Sequence, residues 1–175
     1  PAEAAPVAPA PSAAPAPAPG KADVQPPEAV VLPERPVLSL EGRGTWDTAE
    51  DKLGSAFEQL AIAAKKAGST PAGAPLVEYV ESDDKTFSFV VMLPIDKKPK
   101  GKLPKGIKAG VSRSGPALRF SPSANADDLE EVYARIDDWL TAKGLTLGTV
   151  IEEYGDDAIA SPEDRVVVDI YVFTE

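Results

Sequence analysis

The sequence predicts an α+β fold in which a strand–helix–strand–strand unit occurs twice, giving antiparallel sheets, two helices and a cleft on a pseudo-twofold axis. Two segments have helical spacing of apolar residues, and their apolar faces coincide when one segment is shifted by 76 positions. Each is followed by two segments rich in Val, Ile, Phe and Tyr, as strands are. The 175 residues divide into a leader, 1–27, and a domain, 28–175, whose halves are approximately 30–95 and 107–175.

The leader is a spacer by composition. It contains nine Pro and ten Ala and shows no apolar periodicity. Such a segment buries too little surface to offset the entropy of ordering it, so we expect it to be disordered and extended. Ala/Pro-rich leaders behind a cleaved signal peptide are common in exported bacterial proteins, which makes a periplasmic location an expectation.

The first half is predicted to consist of a strand, a helix and two further strands. Asp47 and Glu50 have the spacing of a capping box at the start of the helix, and Gly68 suits its end. The apolar face of this helix is formed by Leu53, Phe57, Leu60 and Ala64. The strands are Pro36–Leu40 before the helix, and Pro75–Val80 and Thr86–Leu93 after it.

The second half follows the same plan. Its helix begins at Asn125 or Asp127 and ends at Lys143 and Gly144. The apolar face is formed by Leu129, Val132, Tyr133, Ile136 and Leu140. The strands are Pro116–Phe120, Thr149–Tyr154 and Arg165–Phe173.

The composition excludes several classes of chemistry. The sequence has no Cys and no His, which excludes disulfides, thiolate or imidazole catalysis and the usual zinc ligands. With 18 basic and 28 acidic residues the net charge is −10, so nucleic acid is not an expected partner. No apolar stretch approaches the roughly 18–20 residues of a membrane span. We predict no cofactor.

Two clusters of charge have simple explanations. The segment that connects the halves, Ile95–Lys108, contains six lysines. One interpretation is that these lysines form a surface that binds anions or nucleic acid. No aromatic residue lies among these lysines, so we favour a solvated connection. The acidic pairs Asp83-Asp84 and Asp156-Asp157 lack the ligand spacing of a calcium loop, so we predict no metal site.

Several joined motifs resemble the GyrI-like family, the small-molecule-binding domain also found as the effector-binding domain of multidrug-responsive bacterial regulators. They are the tandem strand–helix–strand–strand pattern, the helix end Trp139–Leu145, the strand motif Glu152-Glu153-Tyr154 after it, and the closing strand Asp169–Val172. The sequence departs from the family at residues 121–126, which lack its His and aromatic residue. No helix-turn-helix segment precedes the domain here, so we expect a standalone form without a DNA-binding domain.

The resemblance implies a cleft for small amphipathic, often cationic, molecules. In the family, a glutamate on the last Glu-x-Tyr strand meets the positive charge of the ligand, and the matching position here is Glu152. Tyr154 lies on the same side of that strand, because alternate residues of a strand share a face. Tyr79 lies on the equivalent strand of the first half, and Trp46 occupies a position that faces the cleft entrance.

Alternation along the other strands adds two candidates. Val168, Ile170 and Val172 suit packing against a helix, which leaves Tyr171 on the opposite, open face of the sheet. In the first half, Phe87, Phe89, Val91 and Leu93 are inward, and Met92 is on the open face with Val90. Interface packing is the alternative for Tyr171 and Met92. Trp139 is interpreted as a core residue.

Three functions remain open from the sequence. The first is non-catalytic binding of small amphipathic, cationic molecules by Glu152, Tyr154, Tyr79, Trp46, Tyr171 and Met92. The second is hydrolysis of a reactive small molecule, with Glu152 as the general base that activates water. The third is an envelope protein-interaction module, in which the leader spans a distance and the open sheet face docks a partner.

Overall fold

A computed structural model describes residues 25–122, 128–155, 158 and 166–174. Within these residues, eight strands form one antiparallel sheet and two α-helices pack on it, which confirms the α+β class. The predicted leader up to residue 24, the predicted helix start at Asn125 or Asp127, and the pair Asp156-Asp157 lie outside the described residues.

The strands of the first half are β1 (Glu28–Leu32), β2 (Pro36–Thr45), β3 (Leu76–Ser82) and β4 (Thr86–Pro94). Those of the second half are β5 (Ile107–Val111), β6 (Gly115–Phe120), β7 (Leu147–Tyr154) and β8 (Val167–Thr174). The helices are α1 (Ala49–Lys66) and α2 (Leu129–Ala142). Strands β1 and β5 were not predicted, because both are short and β5 carries Lys and Gly.

Both helices end as their sequences predict. Gly68 and Gly144 have φ of 72° and 69°, a left-handed conformation that glycine adopts without strain. In each case the following amide bonds back into the last turn, Ser69 to the Ala64 carbonyl and Leu145 to the Leu140 carbonyl, both at 2.9 Å. The start of α1 differs from the prediction, because Asp47 lies in a 3₁₀ turn, Trp46–Thr48, and the helix begins at Ala49.

The strand order is β1-β6-β8-β7-β3-β4-β2-β5. From one edge the order is β1, β6, β8, β7, and from the other edge it is the equivalent series β5, β2, β4, β3. Strands β7 and β3 therefore meet at the centre. The leading strand of each half pairs with the opposite half. β1 lies against β6, and β5 lies against β2.

The short links between these strands require the sheet to curl. Leu32 ends β1 and Pro36 begins β2, so the link spans at most about 14 Å. In a flat sheet those two strands, six positions apart in the order, would lie about 29 Å apart. The equivalent link before β6 crosses the first one: the Ser112 amide bonds the Arg35 carbonyl at 2.8 Å, and the Arg35 amide bonds the Ser112 hydroxyl at 3.1 Å.

The helix side of the sheet holds the main core. The predicted face of α1 is confirmed, since Leu53, Phe57, Leu60 and Ala64 are buried there. On α2, Val132, Ile136 and Leu140 are buried, whereas the predicted Leu129 and Tyr133 are only partly buried against this core. The inward set on β4 is also confirmed. Val168 was predicted to pack against a helix and is instead exposed, because the β7–β8 ladder shifts register between Glu153 and Tyr154.

The concave side of the curled sheet holds a second cluster, which we call the interior cluster. Its buried members are Leu32, Val37, Leu76, Met92, Ala117, Ile151 and Tyr171. The prediction of an open face was therefore wrong for Met92 and Tyr171, which are 3% and 6% exposed. The sheet itself covers them by curling.

Candidate ligand-binding site

The centre of the sheet positions one buried carboxylate on the helix side. On β7, Val150, Glu152 and Tyr154 share the face that packs towards the helices, as alternation predicts. Glu152 is only 1% exposed. Its neighbour across the central ladder is Val77 of β3. The adjacent Glu153 is on the other face of the strand and is partly exposed.

Three tyrosine hydroxyls donate hydrogen bonds to the Glu152 carboxylate. Oε1 accepts from Tyr133 at 2.5 Å, and Oε2 accepts from Tyr154 at 2.6 Å and from Tyr79 at 3.1 Å. The three donors come from α2, β7 and β3 respectively. Helix α2 and the two central strands therefore converge on one anionic group.

Two of the site residues predicted from the sequence, Tyr154 and Tyr79, are thus beside Glu152. Tyr133 was predicted only as part of an apolar helix face and not as a site residue. A comparison of the two helices could have identified it, because Tyr133 corresponds to Phe57 when the sequence is shifted by 76 positions. The two side chains differ only by the hydroxyl group, and this hydroxyl bonds Glu152.

Burial and negative charge keep these hydroxyls protonated. The pKa values of Tyr133 and Tyr154 are raised well above the ordinary value, first by burial and then by the nearby Glu152 carboxylate. A protonated hydroxyl can donate, and an ionised carboxylate can only accept. The arrangement is therefore a buried carboxyl group held by neutral hydroxyl donors.

Aromatic rings extend outward from Glu152, and Trp46 is the outermost of them. Its ring stacks on Phe87 with centroids 4.6 Å apart, and its centroid is 6.2 Å from that of Tyr79. The indole N–H donates to the Asp83 carbonyl at 2.7 Å, and the Trp46 amide donates to the Lys85 carbonyl at 3.2 Å. These bonds fix Trp46, which is 42% exposed, against the β3–β4 turn.

The turn that holds Trp46 is itself held by Asp83. One carboxylate oxygen accepts from the amides of Lys85 and Thr86 at 2.8 and 2.7 Å, and the other bonds the Thr86 hydroxyl. The backbone bonds from Thr86 and Lys85 lower the pKa of Asp83 below its ordinary value. Asp83, the first residue of the acidic pair at this turn, thus has a structural role in the hairpin.

The remaining candidates do not lie at Glu152. Tyr171 and Met92 belong to the interior cluster on the opposite face of the sheet, so the structure does not bring them to this site. Trp139 packs edge-on against Phe120, with centroids 5.9 Å apart, at the margin of the helix-side core. This agrees with its interpretation as a packing residue.

The three donors to Glu152 differ in their exposure to solvent. Tyr79 and Tyr133 are partly exposed, whereas Tyr154 and Glu152 are buried. Two surface depressions of about 570 and 330 Å³ lie elsewhere, one between β2 and α1 and one along β1 and β6, and Glu152 lines neither. Because Glu152 is buried, a molecule that contacts its carboxylate must displace side chains that now cover it.

The described residues were also searched for metal sites and membrane spans. In that part of the chain, no group of three or more acidic side chains is placed to hold a metal ion. Neither of the helices that the structure describes is long and apolar enough to cross a membrane.

Comparison with known proteins identifies the family. The family model of the GyrI-like small molecule binding domain matches residues 25–173. This chain belongs to the GyrI-like family. The resemblance carried by the Glu-x-Tyr strand and the tandem pattern is thereby confirmed. No curated protein matches the sequence of this GyrI-like chain.

Solved structures share the GyrI-like fold at low identity. The C-terminal domain of EcmrR is 19% identical with a TM-score of 0.69, covering 89% of this chain and 99% of that one. EcmrR in a complex with DNA is 19% identical with a TM-score of 0.66, and the match covers 85% of this chain and 56% of that longer chain. A hydrolase from Listeria innocua is 15% identical with a TM-score of 0.56, and the match covers 86% of this chain and 92% of that one. These identities support likeness of fold alone.

Proposed function

We propose that this GyrI-like domain binds small, flat, amphipathic cations without catalysis, and that Glu152 is their charge partner. The observation that carries the proposal is a buried carboxylate that is surrounded by aromatic residues at the centre of the sheet. Tyr79, Tyr133 and Tyr154 contact it, and Trp46 extends the aromatic surface outward.

The physics favours a cation over a neutral molecule. Away from water, the attraction between a carboxylate and a cation is stronger than at the surface, and ring faces add a further attraction for positive charge. A cation that reaches Glu152 would displace one of the partly exposed side chains, Tyr79 or Tyr133, and would replace its hydrogen bond to the carboxylate. Apolar contact with the rings would supply most of the affinity, which we expect to be micromolar, about −8 kcal/mol.

The test is a titration of dye-like cations and neutral molecules of the same shape, followed by Trp46 fluorescence in a Trp139→Phe background. Glu152→Gln keeps the shape and removes the charge. We expect cations to bind this variant at least tenfold more weakly and neutral molecules to bind it about equally. Raised salt should weaken cation binding only modestly, because a buried pair is poorly screened.

Glu153→Gln is the matched control. It removes the same charge from the next residue of β7, whose side chain is on the opposite face near Arg35, with Nη1 and Oε2 3.7 Å apart. Its cation affinity should equal that of the wild type. Equal losses in Glu152→Gln and Glu153→Gln would mean that general surface charge attracts the ligands, and failure of every cation to bind would contradict the proposal.

A second candidate is hydrolysis of a reactive small molecule. It is favoured by the likeness to a protein described as a hydrolase and by a carboxylate that could accept a proton from water. Its expected signature is turnover of an electrophilic substrate that Glu152→Gln abolishes while binding persists. Saturable binding with no turnover in the wild type would leave the binding function alone.

A further inference from the structure

The fold brings two groups of lysines together that the sequence separates. Lys65 and Lys66 end α1, and the segment from residue 96 to residue 106 lies beside that helix end. The Lys100 amide donates to the Ala67 carbonyl at 3.0 Å, and the Ser69 hydroxyl donates to the Lys97 carbonyl at 2.9 Å. We call the combined surface the lysine surface; it consists of Lys65, Lys66, Lys97, Lys98, Lys100, Lys102 and Lys105.

The segment that carries most of these lysines is fixed to the fold. The Thr70 amide donates to Oδ1 of Asp96 at 2.8 Å, and the Asp96 amide donates to the Thr70 carbonyl at 3.0 Å. Leu103, in the middle of the segment, packs against the helix-side core. A loose linker would have neither feature, so the lysines occupy defined places on the surface.

The charge of the lysine surface is not neutralised locally. All seven side chains are exposed, and none forms an ion pair with a carboxylate in the part of the chain that the structure describes. Lys108, just outside the surface, does pair with Glu41 at 3.2 Å. Between residues 95 and 112 the sequence has a single acid, Asp96, which is bonded to the Thr70 amide.

The helix end explains only part of this charge. Lys65 and Lys66 complement the dipole of α1, but the five lysines of the segment have no such role. Ile62, which is 47% exposed, lies one turn before Lys65 and Lys66 on the same helix. An exposed apolar side chain beside cations can enter the headgroup region of a membrane on which the cations rest.

We propose that the lysine surface binds the anionic headgroup layer of a phospholipid membrane, as a peripheral contact. Lysines add their attraction to such a layer without needing specific geometry. The acidic remainder of the chain does not prevent this, because its repulsion is screened beyond about 10 Å in 0.1 M salt. Nucleic acid fits less well, because the segment offers neither an Arg fork nor an aromatic ring for base stacking.

The test uses the full chain and sedimenting vesicles of phosphatidylcholine with about one third phosphatidylglycerol, an anionic surface of the kind that polybasic segments bind. The variant changes Lys98, Lys100 and Lys102 to Gln. The control changes Lys52, Lys85 and Lys143 to Gln, which lowers the net charge equally at other places. We expect vesicle binding to fall about a hundredfold in the variant and less than about threefold in the control.

Further measurements separate this proposal from others. Ile62→Ser should weaken vesicle binding further, and vesicles of phosphatidylcholine alone should not bind. Equal losses in the two triple variants, or equal binding to neutral vesicles, would overturn the proposal. So would tight binding of duplex DNA without vesicle binding, and so would competition by millimolar inorganic phosphate, which indicates a discrete anion site. The cation-binding titration at Glu152 is independent of all these outcomes.

Discussion

Glu152 is a residue whose burial is costly and whose neighbours offset that cost. Removing a carboxylate from water costs several kcal/mol unless donors replace its hydration, and three tyrosine hydroxyls do so here. The first half is apolar at the matching places, with Val77 across the ladder from Glu152 and Phe57 in place of Tyr133. Packing alone would be satisfied by an apolar residue at this position, and the binding role proposed for Glu152 accounts for a carboxyl group there.

Removing one donor tests this balance. Tyr133→Phe keeps the ring and deletes the hydroxyl that bonds Oε1 of Glu152. We expect the free energy of unfolding to fall by about 1.5–3 kcal/mol, the usual value of a hydrogen bond to a charged group. Urea unfolding measures it. Tyr171→Phe, in the interior cluster, is the comparison, and an equal loss there would indicate that the Glu152 bond has no special weight.

The raised tyrosine pKa values predict a loss of stability in alkali. Below the unfolded pKa, about 10, Tyr133 and Tyr154 are protonated in both states, and their contribution to stability is fully present. As the pH rises from there through the folded pKa, the unfolded chain loses protons first, so the free energy of unfolding falls. Urea titrations between about pH 8 and pH 11 should show this fall. A double variant, Tyr133→Phe with Tyr154→Phe, should show a shallower slope, and an unchanged slope would contradict the assignment.

At the scale of elements, the two helices stabilise the sheet through narrow apolar faces. Leu60 of α1 and Ile136 of α2 are 0% and 1% exposed, at corresponding places in the two halves. Both lie against strand residues of the helix-side core. The faces were predictable because helical spacing is a local property of the sequence.

Shortening either side chain should therefore leave a cavity. Leu60→Ala and Ile136→Ala should each lower the free energy of unfolding by about 2–5 kcal/mol, from lost transfer energy and the unfilled space. Ile62→Ala, on the exposed side of α1, should cost less than about 1 kcal/mol. Denaturant unfolding of the three variants measures these changes. Losses in the free energy of unfolding below about 1 kcal/mol at both Leu60 and Ile136 would mean that the helical faces are assigned wrongly.

At the scale of the whole molecule, the exchange of leading strands joins the two halves. β1 pairs with β6 of the second half, and its last residue, Leu32, is buried in the interior cluster. β5 pairs with β2 of the first half in the same manner. Neither half retains its full set of sheet partners without the other, so we expect the domain to unfold as one unit.

Two truncations test this cooperation. A chain that begins at residue 28 should be as stable as the full chain, because the predicted leader adds no apolar pattern. A chain that begins at residue 34 lacks β1 and uncovers Ala117 and its neighbours in the interior cluster, so its thermal midpoint should fall by well over 10 °C. Limited proteolysis of the full chain should stop near residue 28. Equal midpoints for the two truncated chains would show that β1 is dispensable.

Local features of the sequence determined the helices with their glycine ends, six of the strands, the family, and the shared strand face of Glu152 and Tyr154. Periodicity, turn residues and family motifs are all visible in neighbouring residues. The tertiary structure decided what depends on distant pairing. The curl of the sheet follows from two short links between strands of opposite halves, so it buries Met92 and Tyr171, which alternation alone leaves on an open face. The packing of α2 over β7 brings the Tyr133 hydroxyl to Glu152, and the docking of the 96–106 segment on the end of α1 assembles the lysine surface. These contacts join residues far apart in the chain, and no local pattern encodes the distance between them.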